Sequence, residues 1–309
     1  MTVVDWLLDS DPAIRWQVMR DLTHEPADVV AGERSRVATE GWGARLLALQ
    51  GPDGLWSGGS LFPEWTSTTH TLLVLRYMGL DPKSAQARRA VALVRDNAKW
   101  EHAGQAYFSG EVEPCINGKA VAIGSYFCQD VSGIVDRLLS EQLSDGGWNC
   151  EAENGSTRSS FHSTIDVLEG LLEYERSVRA SSEVTAARRK AENYLLDRRM
   201  FRRLSTGEVV DKEWLLFSFP PRWHYDVLRG LDYLRSAEVA PDERWAEAIG
   251  LVRSKRGEDG RLPLENPHAG RPGSVYFDLD EGEGKPSRWN TLRAMRVLDW
   301  YERRPVRSR

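Results

Sequence analysis

Cysteine is scarce in this chain, with three residues, Cys115, Cys128 and Cys150, among 309. An odd, thin set without Cys-x-x-Cys spacing excludes a disulfide framework and fits a reducing cytoplasm. Long apolar runs are missing too. No stretch approaches the about 18 uninterrupted apolar residues of a membrane-spanning helix, so any membrane contact is expected to be peripheral. The opening Met1-Thr2-Val3-Val4-Asp5-Trp6 has no basic segment followed by an apolar one, and no secretory leader is read there. Charge of one sign is not concentrated either. Lys and Arg number 41 against 46 Asp and Glu, for a net charge of −5. No basic stripe tracks a phosphate backbone, so nucleic acid is set aside as a partner. Alternating strand patterns are also wanting.

Tryptophan is abundant, at 12 residues, and so is glycine, at 26, many of the latter between helical stretches. Most of the indoles are expected to be plain core filling. The glycines mark a repeat. Gln50-Gly51-Pro52-Asp53-Gly54-Leu55-Trp56 and Gln142-Leu143-Ser144-Asp145-Gly146-Gly147-Trp148 share the pattern Gln-x3-Gly-x-Trp. Weaker copies keep the glycine at Arg256–Leu262, Arg203–Val209 and Ala106–Val112. A glycine after the last helical turn takes positive φ and stops the helix. The Gln amide can reach main-chain groups left over at a helix end, with the Trp packed on it. The unit therefore reads helix, tight turn, helix.

The second helices resemble one another as well. Ser67–Leu75 lies over Ser163–Leu171, then over Trp223–Leu231 and, as a fourth copy, Arg288–Met295. Cys115-Ile116-Asn117-Gly118 opens the remaining one. Charged amphipathic helices alternate with them over Lys83–Lys99, Ser181–Met200 and Asp242–Arg256. Asp11-Pro12 is a strong helix start, opening Ala13–Leu22. This gives about twelve helices in about six hairpins. The long connections Gly257–Pro286 and Gly146–Ser160 are candidates for function. Polar outer helices and more apolar second helices suggest two concentric layers. The expected fold is all-α, an α/α toroid formed as one domain over residues 1–309, with its core at about 11–301. An open solenoid is the rival arrangement.

The two intact turns resemble the QW motif of squalene and other terpene cyclases. His70-Thr71 at a helix start is similar to the corresponding repeat of protein prenyltransferase β-subunits. The resemblance spans nearly the whole chain and implies that the second helices are inner ones, with their N-termini gathered at one end of a central cavity. Pooled helix N-termini make a positive pole suited to an anion.

The repeat register places His70, Asp166, Asp226 and Asn290 at equivalent positions near those N-termini, with His224 two residues before Asp226 and His162 four before Asp166. Asp and Asn are also favoured N-caps. The resemblance offers two chemistries. Protonation-initiated cyclisation uses an acid with a well-stabilised conjugate base. The cyclase Asp-x-Asp-Asp motif is absent, and Asp278-Leu279-Asp280-Glu281 comes nearest to it. The prenyltransferase route uses a metal, zinc or magnesium here, for which His70, His224 and Asp226 are the candidate ligands in place of Asp-x-Cys and His.

Asp226, His224, Asp166 and His70 are therefore the catalytic candidates. Arg222, Arg288 and Arg158 are placed to clamp a diphosphate. Trp65, Phe161, Trp223, Tyr225 and Trp289, with Cys115 and Asn290, would line the site and stabilise a carbocation or an apolar chain. The expected function is a terpene-cyclase-like or prenyltransferase-like enzyme acting on an isoprenoid or similar apolar substrate, such as an isoprenyl diphosphate, in the cytoplasm. The alternatives are a non-catalytic lipid-binding or protein-interaction toroid, and a carbohydrate-active toroid with Asp166 and Asp226 as its paired carboxylates.

Overall fold

A computed structural model of the protein describes residues 1–101, 104–178, 181–268 and 274–303. They form two compact units. The first begins with α1 (Val3–Leu8), α2 (Pro12–Asp21) and α3 (Ala27–Ser35). The second holds α4 (Gly41–Ala48), α5 (Thr68–Met78), α6 (Ala85–Asn97), α7 (Pro114–Tyr126), α8 (Ser132–Ser140), α9 (Phe161–Ser177) and most of α10 (Ser182–Asp197). The first unit resumes with α11 (Val227–Ser236), α12 (Ala246–Ser254) and α13 (Arg288–Glu302). Among the described residues, strand structure is confined to a two-residue pairing of β1 (Leu262–Pro263) with β2 (Pro286–Ser287), plus isolated bridges. The all-α expectation holds. No helix among the described residues is long and apolar enough to cross a membrane.

Local chemistry accounts for the helix ends. Asp11 accepts from the Ala13 N–H at 2.9 Å, and Pro12 follows at the first helical position. Thr2 and Asp5 exchange side-chain and main-chain bonds as a capping box at α1. Ser160 and Ser287 cap α9 and α13. At the far end of α5, Gly79 takes φ 86° and ends the helix as a left-handed cap.

The two Gln-x3-Gly-x-Trp turns, both in the second unit, are bonded alike. Gln50 Nε2 donates to the Gly54 carbonyl at 2.9 Å and to that of Gln86 at 3.3 Å. Gln142 Nε2 donates to Gly146 at 2.7 Å and to Ala187, on α10, at 2.8 Å. Each glutamine thus closes its own turn and ties it to a following helix. The indole N–H of Trp56 donates to Leu46 O and that of Trp148 to Leu138 O, both at 2.7 Å. Both rings are wholly buried. The tryptophans are pins that bond carbonyls at the C-terminal ends of α4 and α8, where helical donors run short; the Leu46 carbonyl also accepts from the Leu49 N–H at 3.1 Å.

A further partner in the turn is carried by the next helix. The Trp56 N–H donates to Thr68 Oγ1 at 3.0 Å, and the Trp148 N–H to Thr164 Oγ1 at 3.1 Å. In the first unit, Leu262 N–H donates to Thr291 Oγ1 at 2.9 Å, and Arg256 Nε replaces the glutamine amide on the Gly260 carbonyl at 3.3 Å. In the second unit, Asn117 takes the threonine's place, accepting from Glu111 N–H and donating to Glu111 O, both at 2.7 Å. The bonding therefore aligns Thr68, Asn117, Thr164 and Thr291. Two positions on from these stand His70, Lys119, Asp166 and Arg293. This corrects the register read from sequence. Asn290 immediately precedes Thr291, so it lies about one helical turn before the level of Asp166. Asp226 is the N-cap of α11 rather than a residue on it. The segment Trp223–Tyr225 lies ahead of the helix.

Helices α7 and α9 cross at backbone contact in the second unit. A Cβ on Gly118 would lie 2.4 Å from the Asp166 carbonyl oxygen, and one on Gly170 would lie 2.3 Å from that of Gly118. No side chain fits at either position.

Candidate functional site

In the first unit the most buried carboxyl among the described residues is Asp226, 1% exposed. Its Oδ1 accepts from Arg229 N–H at 2.7 Å, and its Oδ2 accepts from Ser218 Oγ at 3.0 Å and from Ser218 N–H at 3.4 Å. Burial pushes its pKa up, while the Arg293 guanidinium and these donors pull it down. Burial prevails, so the net shift is upward. Arg293 also donates to Ser218 O at 2.8 Å, and Asn290 Nδ2 reaches Phe217 O at 3.2 Å and Pro263 O at 3.0 Å. Asn290 is thus a buried brace between loops. Behind Arg293 lies Asp232, bonded to Arg296 at 2.5 Å. Burial opposes its ionisation, but Arg296, Arg235 and Arg293 outweigh that cost and hold the carboxyl well below the usual range.

Aromatic rings stand on this framework. Trp289 stacks on Phe219 with centroids 4.0 Å apart, and Tyr225 meets Trp214 edge-on while donating to Met200 O at 2.6 Å. Trp223, 40% exposed, stacks on His224 at 3.7 Å, and His224 in turn stacks on His268 at 3.6 Å. This triple stack is half open to solvent. Arg222 holds φ 55° in the turn that leads into it.

Arg288 turns to the chain's own N-terminal region. It donates to Trp6 O and lies over the Trp6 ring, 4.3 Å from its centroid. Its main-chain N–H donates to Asp280 Oδ1 at 2.9 Å, and Ser287 Oγ donates to Asp280 Oδ2 at 2.7 Å. Burial pushes Asp280 up to about 6, against those two bonds. Within the acidic tetrad Asp278–Glu281, Asp280 is the carboxyl engaged at the start of α13, while Asp278 and Glu281 are exposed.

The second unit holds the other candidates. His70 is half-buried at the start of α5, with Nδ1 2.8 Å from Ser67 Oγ and its ring edge-on to Trp65 at 4.9 Å. Phe161 is buried against Tyr194 at 5.3 Å. Asp166, 2% exposed, lies 3.9 Å from Lys119 Nζ across the α7–α9 crossing. Arg158 is exposed.

Cys115, at the second position of α7, stands 2.7 Å from Cys150, sulfur to sulfur. Ser163 Oγ donates to Cys150 Sγ at 3.2 Å, and Glu113 Oε2 is 3.6 Å from Cys115 Sγ. Sharing one proton with Cys150, together with burial, pushes the Cys115 thiol up. The same sharing, with the Ser163 hydroxyl, pulls Cys150 down.

Of the metal candidates, His70 belongs to the second unit, and His224 and Asp226 to the first. Among the described residues, one set of three candidate ligands lies within 4.8 Å of one another: Glu113, Cys115 and Cys150. Sequence reasoning singles out Cys115 but misses Glu113, Cys150, Lys119 and Arg293. The signal for Lys119 and Arg293 is the recurring Thr or Asn two positions before them. Cys150 stands two residues after a turn tryptophan, and nothing in its spacing points to Cys115.

No family model matches the chain, and neither does any curated protein sequence. Among solved structures it is similar to the type II terpene cyclase MstE from Scytonema in its apo form, at 16% identity and a TM-score of 0.45 over 92% of this chain and 85% of that one. An aspartate-to-asparagine variant of the same cyclase, in complex with geranylgeranyl dihydroxybenzoate as substrate, gives 17% and 0.44 over 93% and 84%. A likeness at this level assigns no residue its role.

Proposed function

We propose that this protein is a terpene-cyclase-like or prenyltransferase-like enzyme of the cytoplasm, a single α/α toroid that acts on an isoprenoid or a similarly apolar chain. The observation that carries the reading is Asp226, a wholly buried carboxyl whose burial favours the protonated form and whose conjugate base already has three hydrogen-bond donors and a guanidinium beside it. An acid for carbocation chemistry needs donors waiting for the anion that forms, and Ser218, Arg229 and Arg293 supply them against the cost of burial. In this scheme the Asp226 O–H breaks as a C–H bond forms on the substrate alkene. The cation then migrates between aromatic faces and is quenched by loss of a proton from a neighbouring carbon. Trp223, Tyr225 and Trp289, all in the first unit with Asp226, supply the rings. His224, in the same unit as Asp226, serves as an assisting acid or base. Where the substrate is an isoprenyl diphosphate, Arg222 holds the anion, since Arg288 is engaged with Trp6.

A second reading, a non-catalytic lipid-binding module, is favoured by one observation: the bonds of Asp226 are those of a complete N-cap. The carbohydrate alternative needs Asp166 and Asp226 as a working pair, and each is engaged within its own unit.

The test is incubation with geranyl, farnesyl and geranylgeranyl diphosphates and a non-phosphorylated isoprenoid, with product analysis, for wild type and Asp226→Asn. Asparagine caps helices as well as aspartate does, so the variant is expected to fold with a similar melting temperature and to lose about 10²-fold or more in turnover. Full turnover in the variant, or no product from any isoprenoid with the wild type, would reject the enzyme reading.

A further inference from the structure

We propose that Cys115, Cys150 and Glu113 form a binding site for a zinc-class divalent cation, with its fourth coordination position open. The inference is independent of the function proposed above.

Two segments of the second unit converge here. Cys115 sits in the first turn of α7, where the helix dipole favours a thiolate. Glu113 is the residue before that helix, and its own N–H is anchored on Glu111 Oε2 at 2.5 Å. Cys150 opens the short turn Cys150–Ala152, and its main-chain N–H is fixed by Ser163 Oγ at 3.1 Å. All three side chains are half-buried, so the site is shielded yet reachable.

The donor set selects the ion. Two thiolates with one carboxylate suit zinc and disfavour magnesium or calcium, which take oxygen ligands. With Zn–S bonds of about 2.3 Å and a Zn–O bond of about 2.1 Å, a tetrahedral site puts sulfur and oxygen about 3.6 Å apart and the two sulfurs about 3.8 Å apart. The Cys115–Glu113 distance of 3.6 Å already meets the first requirement. The sulfurs, at 2.7 Å, must separate by about 1 Å, within reach of a side-chain rotation. Two thiolates and a carboxylate around a dication leave one negative charge. Lys119, one helical turn beyond Cys115, lies on the same side of α7 to offset it. Asp166, 3.9 Å from Lys119, orients that ammonium.

The experiment uses full-length protein, reduced and freed of metal, titrated with Co²⁺ and then Zn²⁺. The expected result is one equivalent of Co²⁺ bound, with a thiolate-to-cobalt charge-transfer band and the visible bands of a tetrahedral site, both bleached by one equivalent of Zn²⁺. Cys115→Ser and Cys150→Ser should each lose the charge-transfer intensity in part and weaken zinc at least tenfold. Glu113→Gln should weaken zinc while keeping the band, and Cys128→Ser, at an exposed thiol, should behave as wild type. Circular dichroism of each variant separates loss of the site from loss of the fold. Absence of the thiolate band in folded wild type would overturn the proposal. So would a Cys115–Cys150 disulfide in protein alkylated at the moment of lysis.

Discussion

Replacing Gln142 by alanine removes two hydrogen bonds at once, to Gly146 O at 2.7 Å and to Ala187 O at 2.8 Å. Both are short, neutral amide–carbonyl bonds worth about 1 kcal/mol net each, so the cost should be about 2 kcal/mol. The other copy supplies an internal control. Gln50 Nε2 makes one bond of 2.9 Å and one of 3.3 Å, and its Oε1 accepts from Gln86 Nε2 at 3.4 Å; the two longer bonds contribute little. Gln50→Ala should therefore cost about 1 kcal/mol. Gln142→Glu should be worse than alanine near pH 7, because a carboxylate then faces two carbonyl oxygens with no proton to give. It should recover in acid, where the protonated group can donate once. Urea denaturation followed by tryptophan fluorescence measures all three, provided the m-values agree. The reasoning fails if Gln50→Ala costs as much as Gln142→Ala, or if the glutamate variant matches alanine at neutral pH.

Gly118→Ala should lower the melting temperature sharply, because its Cβ would meet Asp166 main-chain atoms at 2.4 and 2.5 Å and the two helices would have to part. Gly250→Ala on α12 meets nothing within 4 Å and should raise stability by up to about 1 kcal/mol through helix propensity. Equal melting temperatures for the two variants would contradict the backbone-contact reading. Asp280 titrates at about 6 in the folded protein against an ordinary value of 3.8. Folding therefore binds a proton between those values, and this group's contribution to stability declines as pH rises from about 4 to about 6. Asp280→Asn should gain on the wild type over that interval by up to about 3 kcal/mol, less for solvent screening, as read from stability curves at several pH values. A difference independent of pH would remove Asp280 from the account.

The helices are legible in the sequence because their signals are local. Asp11-Pro12 starts a helix by its own chemistry, and the turn glycines stop helices by theirs. The Gln and Trp of the two intact turns carry the repeat. What cannot be read is the threonine or asparagine that completes each turn from the following helix. A threonine in a helix looks like any other, and its role appears only when the Trp56, Trp148 or Leu262 N–H is seen bonded to it. Without that anchor the register slips, and Asn290 falls level with Asp166 when Arg293 holds that place. Asp226 stands out in the sequence, but whether it is a cap or an acid depends on donors, two of them from Ser218, that its helix pattern does not announce. The thiol pair is invisible for a similar reason. Its members are 35 residues apart, and only the folded second unit brings them together.

The contact between Gly118 and Gly170 has a mechanical consequence for that pair. With no side chains between them, α7 and α9 can neither slide nor rock without main chain striking main chain. Cys115 rides on the first of these helices and Ser163 on the second. The short turn carrying Cys150 is held to Ser163 by hydrogen bonds, at its main-chain N–H and at its sulfur. Main-chain movement that widens or narrows the gap between the sulfurs therefore falls on the Cys150 side, with the α7–α9 pair acting as the fixed jaw of a vice and the turn as the moving one.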